Sequence, residues 1–165
     1  MTGFAIAPLA VLRGEVGLCP LPGAAADFEA GLAAILDWQP RLVLSLTPVA
    51  EMEALGAGRL VARLQQAGVE WRGFAIADYS VPEAAAEALW PDLSVRLRGV
   101  LAKGGRVLVH CRGGCGRTGM IVLRLMIEGG EAPAAALDRL RAARPCAIET
   151  EAQMIWAKAG RTEQA

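Results

Sequence analysis

Histidine, tyrosine and net charge are what this 165-residue sequence has least of. It carries one histidine, His110, and one tyrosine, Tyr79, and its 17 basic side chains are balanced by 17 acidic ones. A single imidazole supplies a metal centre poorly, so no metal and no cofactor is expected. Balanced charge leaves no field to hold a polyanion along the surface, which argues against a nucleic-acid partner. The four cysteines, Cys19, Cys111, Cys115 and Cys146, show no short paired spacing, so neither a disulfide framework nor a structural zinc site is expected. No apolar run reaches the roughly 20 residues of a membrane span, because Arg, Asp or Glu interrupts each one. The apolar opening, 1–12, lacks the positively charged start and small-residue cleavage site of a secretory signal. These absences together lead us to expect a cytoplasmic protein with no membrane span.

Apolar residues are plentiful, at 54%, enough for one sizeable core in a chain too short for two comfortable domains. A single domain over 1–165 is therefore expected. Short apolar runs bounded by turn residues alternate with longer stretches of helical periodicity, the pattern of an α/β fold with a central, mostly parallel sheet of four to five strands flanked by helices. Strands are predicted at Val16 to Cys19, Leu42 to Leu46, Arg72 to Ile76 and Val107 to His110. Helices are predicted at Ala25 to Asp37, Val49 to Leu55, Arg59 to Ala67, Pro82 to Ala102, Arg117 to Glu128, Pro133 to Ala143 and Thr150 to Ala159, with a fraying end at Gly160 to Ala165. Thr47-Pro48 reads as a capping hydroxyl before a proline at the first helical position, and Gly68 and Gly104 as helix stops. Pro91 should split or kink the long helix it interrupts.

The segment with the most chemistry is His110-Cys111-Arg112-Gly113-Gly114-Cys115-Gly116-Arg117-Thr118. A buried strand runs into a glycine-rich loop and then into a helix. Glycines let successive backbone N–H groups converge on one point, and the helix N-terminus adds partial positive charge, so the segment suits a tetrahedral oxyanion. The same field favours the ionised thiol of Cys111, a nucleophile. Arg117 can hold two oxygens of the anion with its planar fork. Thr118 is placed to donate to the sulfur, and His110, at the strand end, to fix the loop by hydrogen bonding rather than act as a base. The alternative is a buried structural thiol beside an ordinary turn, which leaves the Arg117 spacing without a reason.

Cysteine, five residues, arginine, then Ser or Thr, preceded by histidine and with Gly114 inside, resembles the signature of the protein tyrosine phosphatase superfamily. A nucleotide-binding P-loop would need a Gly-Lys-Ser/Thr ending that is missing here. Such chemistry needs an acid to protonate the leaving oxygen. Asp78, in Ile76-Ala77-Asp78-Tyr79-Ser80, lies 33 residues before Cys111 (111 minus 78). That spacing resembles the acid loop of the smaller dual-specificity branch, so Asp78 is either the general acid and later base, or a cap on the next helix. Tyr79 and Trp71 are either pocket lining beside it or core. The likeness extends through Cys19-Pro20-Leu21-Pro22-Gly23 and Ile148-Glu149-Thr150-Glu151-Ala152-Gln153 to the kinase-associated phosphatase group. In relatives this last stretch begins Gln-Thr with a second Gln four residues after the first; here Glu149 takes the first place and Gln153 the second. The water-positioning role belongs to Gln153, to Glu149, or to neither.

The resemblance implies a phosphate-binding loop of Arg112, Gly113, Gly114, Cys115, Gly116 and Arg117. Arg112 is either a second cation for a substrate with more than one phosphate or a solvated side chain. Cys115 is either a small filler of the loop or a partner able to form a disulfide with Cys111. The Asn-rich tyrosine motif of the larger tyrosine-specific enzymes is not evident, which implies a shallower pocket. The expected activity is hydrolysis of phosphotyrosine proteins, with phosphoserine and phosphothreonine possible, through a phosphocysteine intermediate. Alternatives are an inositol-lipid or other small-molecule phosphatase, a rhodanese-type sulfur-transfer enzyme, and a non-catalytic phosphoprotein-binding module.

Overall fold

A computed structural model describes residues 4–24 and 27–161. Five strands form one sheet: β1 (Ala7–Val11), β2 (Gly14–Cys19), β3 (Leu42–Ser45), β4 (Glu70–Gly73) and β5 (Arg106–His110), in the order β1-β2-β5-β3-β4. The central strand β5 runs parallel to β2 and β3, β3 parallel to β4, and only β1 is antiparallel, against β2. The expected mixed α/β architecture is what is found, as a single domain.

Side-chain alternation along the strands sends residues to two helical layers. Val16, Leu18, Leu42, Leu44, Val107 and Val109 pack into the larger core. There they meet α5 (Trp90–Ala102), α6 (Gly116–Glu128), α7 (Pro133–Ala143) and α8 (Glu151–Lys158). Cys19, Val43 and Leu108 face the other way, under α1 (Phe28–Trp38), α2 (Val49–Ala54) and α3 (Leu60–Gln66). Strands covered on both faces need no polar alternation, which is why Leu42 to Leu44 in β3 and Val107 to Val109 in β5 read as unbroken apolar runs. Helix α6 lies deepest, buried from Gly116 to Leu123 and again from Leu125 to Ile127.

Several predicted boundaries shift for identifiable reasons. The fourth strand begins and ends earlier than predicted, because after Gly73 only isolated bonds continue the ladder, Phe74 N–H to Ser45 O and Ile76 N–H to Leu46 O. Strand β1 was not anticipated. It closes a two-residue hairpin through Leu12 and Arg13, with Leu12 at φ 53°, a conformation that leucine does not advertise. The long predicted helix from Pro82 divides into α4 (Ala84–Glu87) and α5, with Pro91 in the first turn of α5 rather than inside a helix. Pro48, not Thr47, is the residue capping α2, and the buried Thr47 hydroxyl has no hydrogen-bond partner. The predicted start of α1 at Ala25 and the last residues of the C-terminal end lie outside the described residues; within them, Asp27 caps α1 by accepting from Ala30 N–H.

Parallel strands β2, β5, β3 and β4 all end on one edge of the sheet, and the segments after them converge there. In open sheets of this kind that edge is where ligands bind.

Candidate active site

Strand β5 stops at His110, the loop Cys111 to Cys115 follows, and Gly116 opens α6. Gly114 sits at φ +73°, and a Cβ there would lie 2.5 Å from the Cys19 carbonyl carbon and 2.6 Å from its oxygen. No other residue can occupy that place without moving β2. Gly113 is different: it is exposed, with open space around its missing Cβ. The glycine-rich reading therefore holds at 114 by necessity and at 113 only by composition.

Cys111 lies at the base of the loop, 3% exposed. Beneath it, His110 is fully buried, with Nε2 2.5 Å from Ser45 Oγ and Nδ1 3.1 Å from the Cys111 carbonyl oxygen. Ser45 Oγ also accepts from Trp71 Nε1 at 2.9 Å. The chain of partners settles the tautomer: Nδ1 must donate to the carbonyl, so Nε2 is bare and Ser45 donates to it. Burial pushes the imidazole down to about 4, opposed by its bond to Cys111 and assisted by the Arg117 charge. His110 is thus a neutral prop for the loop. Trp71 completes this prop from β4 rather than lining a pocket.

Arg117, in the first turn of α6, is 1% exposed. Its Nη1 donates to Glu51 Oε2 and to Ile76 O, both at 2.9 Å; Nη2 donates to Glu51 Oε1 at 3.3 Å and lies 3.3 Å from Asp78 Oδ1. Burial disfavours the charge, but the Glu51 hydrogen bonds and the Cys111, Glu51 and Asp78 charges more than restore it. The Nε–H is buried with no partner. A buried cation whose fork is braced on one side and open at Nε is poised to take an anion there. Thr118, wholly buried beside it, has a hydroxyl that is likewise unpartnered.

Asp78 is on the loop between β4 and α4 and is partly exposed. Its Oδ1 also accepts from Tyr79 N–H at 3.0 Å. It caps no helix, since the residue capping α4 is Glu83. Tyr79, 62% exposed at φ 59°, borders a cleft of about 660 Å³ with Pro48, Ser80 and Val81.

The segment before α8 braces the loop from outside. Arg144 donates to Gly113 O at 2.7 Å and to Gly114 O at 3.1 Å, and Ile148 N–H donates to Cys115 O at 3.2 Å. Cys115 and Cys146 form a disulfide. This overturns both expectations for Cys115: it is neither a loose filler nor free to pair with Cys111, and the chain does contain a disulfide. Glu149 Oε1 accepts from Gly116 N–H at 2.9 Å. The amide of Gln153 is wholly buried. Its oxygen accepts from Glu149 N–H and Thr150 N–H, and its nitrogen donates to Ser80 O, so it latches α8 to the acid loop.

Around one point the structure therefore gathers Cys111, Gly114, Gly116, Arg117, Thr118, Asp78 and Glu149, with His110 and Gln153 as supports. Arg112 points outward, exposed, with no side-chain partner among the described residues. Glu51, Ser45, Arg144 and Cys146 were missed; each lies at least 26 residues from the groups it meets, and no local spacing announces such pairings. Among the described residues no cluster of His, Cys, Asp or Glu could hold a metal ion, and no helix is long and apolar enough to cross a membrane.

Residues 71–160, more than half of the chain, match the model of a family described as protein-tyrosine phosphatase. At the level of sequence, no curated protein matches. Among solved structures, a kinase associated phosphatase with its catalytic-site cysteine replaced by serine superposes with a TM-score of 0.82 at 22% identity, covering 95% of this chain and 93% of that one. Tk-PTP in its active form gives 0.70 at 24% identity, covering 93% and 95%. PTPMT1 in complex with PI(5)P gives 0.69 at 21% identity, covering 93% of each chain.

Proposed function

The chain belongs to the protein-tyrosine phosphatase family, and from that premise we propose that it hydrolyses phosphate monoesters through a phosphocysteine at Cys111. The observation that carries the reading is Arg117: a buried guanidinium, held by Glu51 and Ile76, with an unpaired Nε–H beside the nucleophile's loop.

The phosphoryl group lies against the backbone N–H groups of residues 112 to 117, with an oxygen on the open Nε–H of Arg117. The Cys111 thiolate attacks phosphorus, and the bond to the leaving oxygen breaks as Asp78 gives that oxygen its proton. Asp78, now ionised, takes a proton from a water that attacks the phosphocysteine. Phosphate leaves, and the sulfur departs as a thiolate stabilised by the Thr118 hydroxyl. Contact between Asp78 and Arg117 at 3.3 Å supports this assignment, because it holds the acid over the same group that holds the phosphate.

The substrate we favour is a phosphotyrosine protein, with phosphoserine and phosphothreonine admitted. An open site supports this, since Asp78 and Tyr79 are both exposed at its mouth. The unpartnered cation of Arg112 favours a second reading, an inositol-lipid phosphatase, which needs charge for a further phosphate.

Turnover of para-nitrophenyl phosphate in chelator tests the chemistry. Activity should vanish in Cys111→Ser and fall by about 10²- to 10⁴-fold in Asp78→Ala. Activity indifferent to Cys111 would overturn the mechanism. Faster turnover of phosphoinositides than of phosphotyrosine peptides, lost in Arg112→Ala, would replace the protein substrate by the lipid.

A further inference from the structure

The Gly116 N–H, last of the loop's backbone donors before Arg117, is held by a carboxylate of the chain itself, Glu149 Oε1 at 2.9 Å. The contact is built from several sides. Glu149 N–H is fixed on the buried Gln153 oxygen at 3.0 Å. Ile148, immediately before it, is buried at φ 68°, in a left-handed conformation that a β-branched residue adopts only when its surroundings impose it. The Ile148 N–H is tied to Cys115 O, and Cys146 is bonded to Cys115. Were residue 116 to carry a Cβ, it would lie 2.3 Å from Glu149 Oε1, so the glycine leaves room for this carboxylate.

Glu149 makes no ion pair among the described residues, although it sits on an anion-binding loop. It is exposed and free to swing away. We propose that Glu149 is a resident competitor for the phosphate site: it occupies the Gly116 N–H at rest, must be displaced when a phosphate dianion binds, and returns to help expel inorganic phosphate after hydrolysis. This rests on the phosphatase reading above. The residue thereby sets the affinity for dianions. Other ionisable groups around the cradle are Cys111, Arg112, Arg117 and Arg144 on the loop and its brace, Asp78 on the acid loop, Glu51 on α2 and neutral His110 below.

Calorimetric binding of sulfate, dianionic from about pH 7 to about pH 4.5, tests this without turnover. Glu149→Gln and Glu149→Ala should each bind sulfate about tenfold more tightly than the wild type, the cost of displacing one charged hydrogen bond. Inorganic phosphate should become a correspondingly stronger product inhibitor. Equal affinities in all three proteins overturn the proposal. Tighter binding by Gln but not by Ala would also do so, because the gain would then come from a new amide donor. Failure of the wild type itself to bind any dianion would bring down the phosphatase reading as well, whereas binding indifferent to Glu149 sinks this inference alone.

Discussion

Replacing Glu51 by alanine should destabilise the protein through an arginine on a different element. The Arg117 guanidinium is 1% exposed, and two of its four contacts go to Glu51, at 2.9 and 3.3 Å. Removing one partner of a buried ion pair costs about 3–5 kcal/mol, because the remaining charge stays out of water. Here Ile76 O and Asp78 remain, and the Glu51 side chain is itself 22% exposed. The cost therefore falls at or below the bottom of that range, about 2–3 kcal/mol. For a chain of this length each kcal/mol moves the midpoint by about 2–4 °C, so thermal unfolding should begin about 4–12 °C lower. Glu51→Gln, which keeps one acceptor, should fall between variant and wild type. Phosphate should raise the midpoint of Glu51→Ala by more than it raises that of the wild type, because it supplies the missing counter-charge to the folded state. Scanning calorimetry with and without phosphate reads all of this. A midpoint within about 1 °C of the wild type for Glu51→Ala would refute the claim that Glu51 neutralises Arg117.

His110 titrates at about 4 when folded against an ordinary 6.5, so below pH 6.5 the unfolded chain binds more protons than the native one. Stability should therefore be full above about pH 6.5 and fall by as much as about 3 kcal/mol towards pH 4, a slope that His110→Asn should flatten in urea titrations. Gly114→Ala forces a Cβ to within 2.5 Å of the Cys19 carbonyl carbon at a positive φ. It should cost more than about 2 kcal/mol and reduce turnover severely, and a fully active, stable variant would contradict the loop geometry. Opening the Cys115–Cys146 disulfide, which spans 31 residues, by Cys146→Ser should cost about 3–4 kcal/mol while leaving Cys111 as nucleophile. Unchanged thermal stability in oxidising buffer would deny that this bond closes the loop in solution.

Properties set by neighbours along the chain were legible in the residues themselves. The continuous apolar runs at 42–44 and 107–109 marked buried parallel strands, and the order of strand, glycine loop and helix around Cys111 was legible too, because each depends on contiguous backbone. Asp78 was visible as a candidate through its spacing, though whether it caps a helix or faces the nucleophile is decided by the fold, which sets it against Arg117. Strand β1 escaped notice because its turn rests on a leucine at positive φ. Glu51, Ser45, Arg144 and the Cys115–Cys146 bond were illegible for a shared reason: each joins residues from separate elements, and nothing in the local sequence encodes which separate segments will meet. The sequence by itself determined the fold class and the family. Only the tertiary structure decided which carboxylate braces Arg117, what Gln153 holds, and that Glu149 rests on the Gly116 N–H, because these depend on where the ends of β2, β3, β4 and β5 and the start of α8 converge.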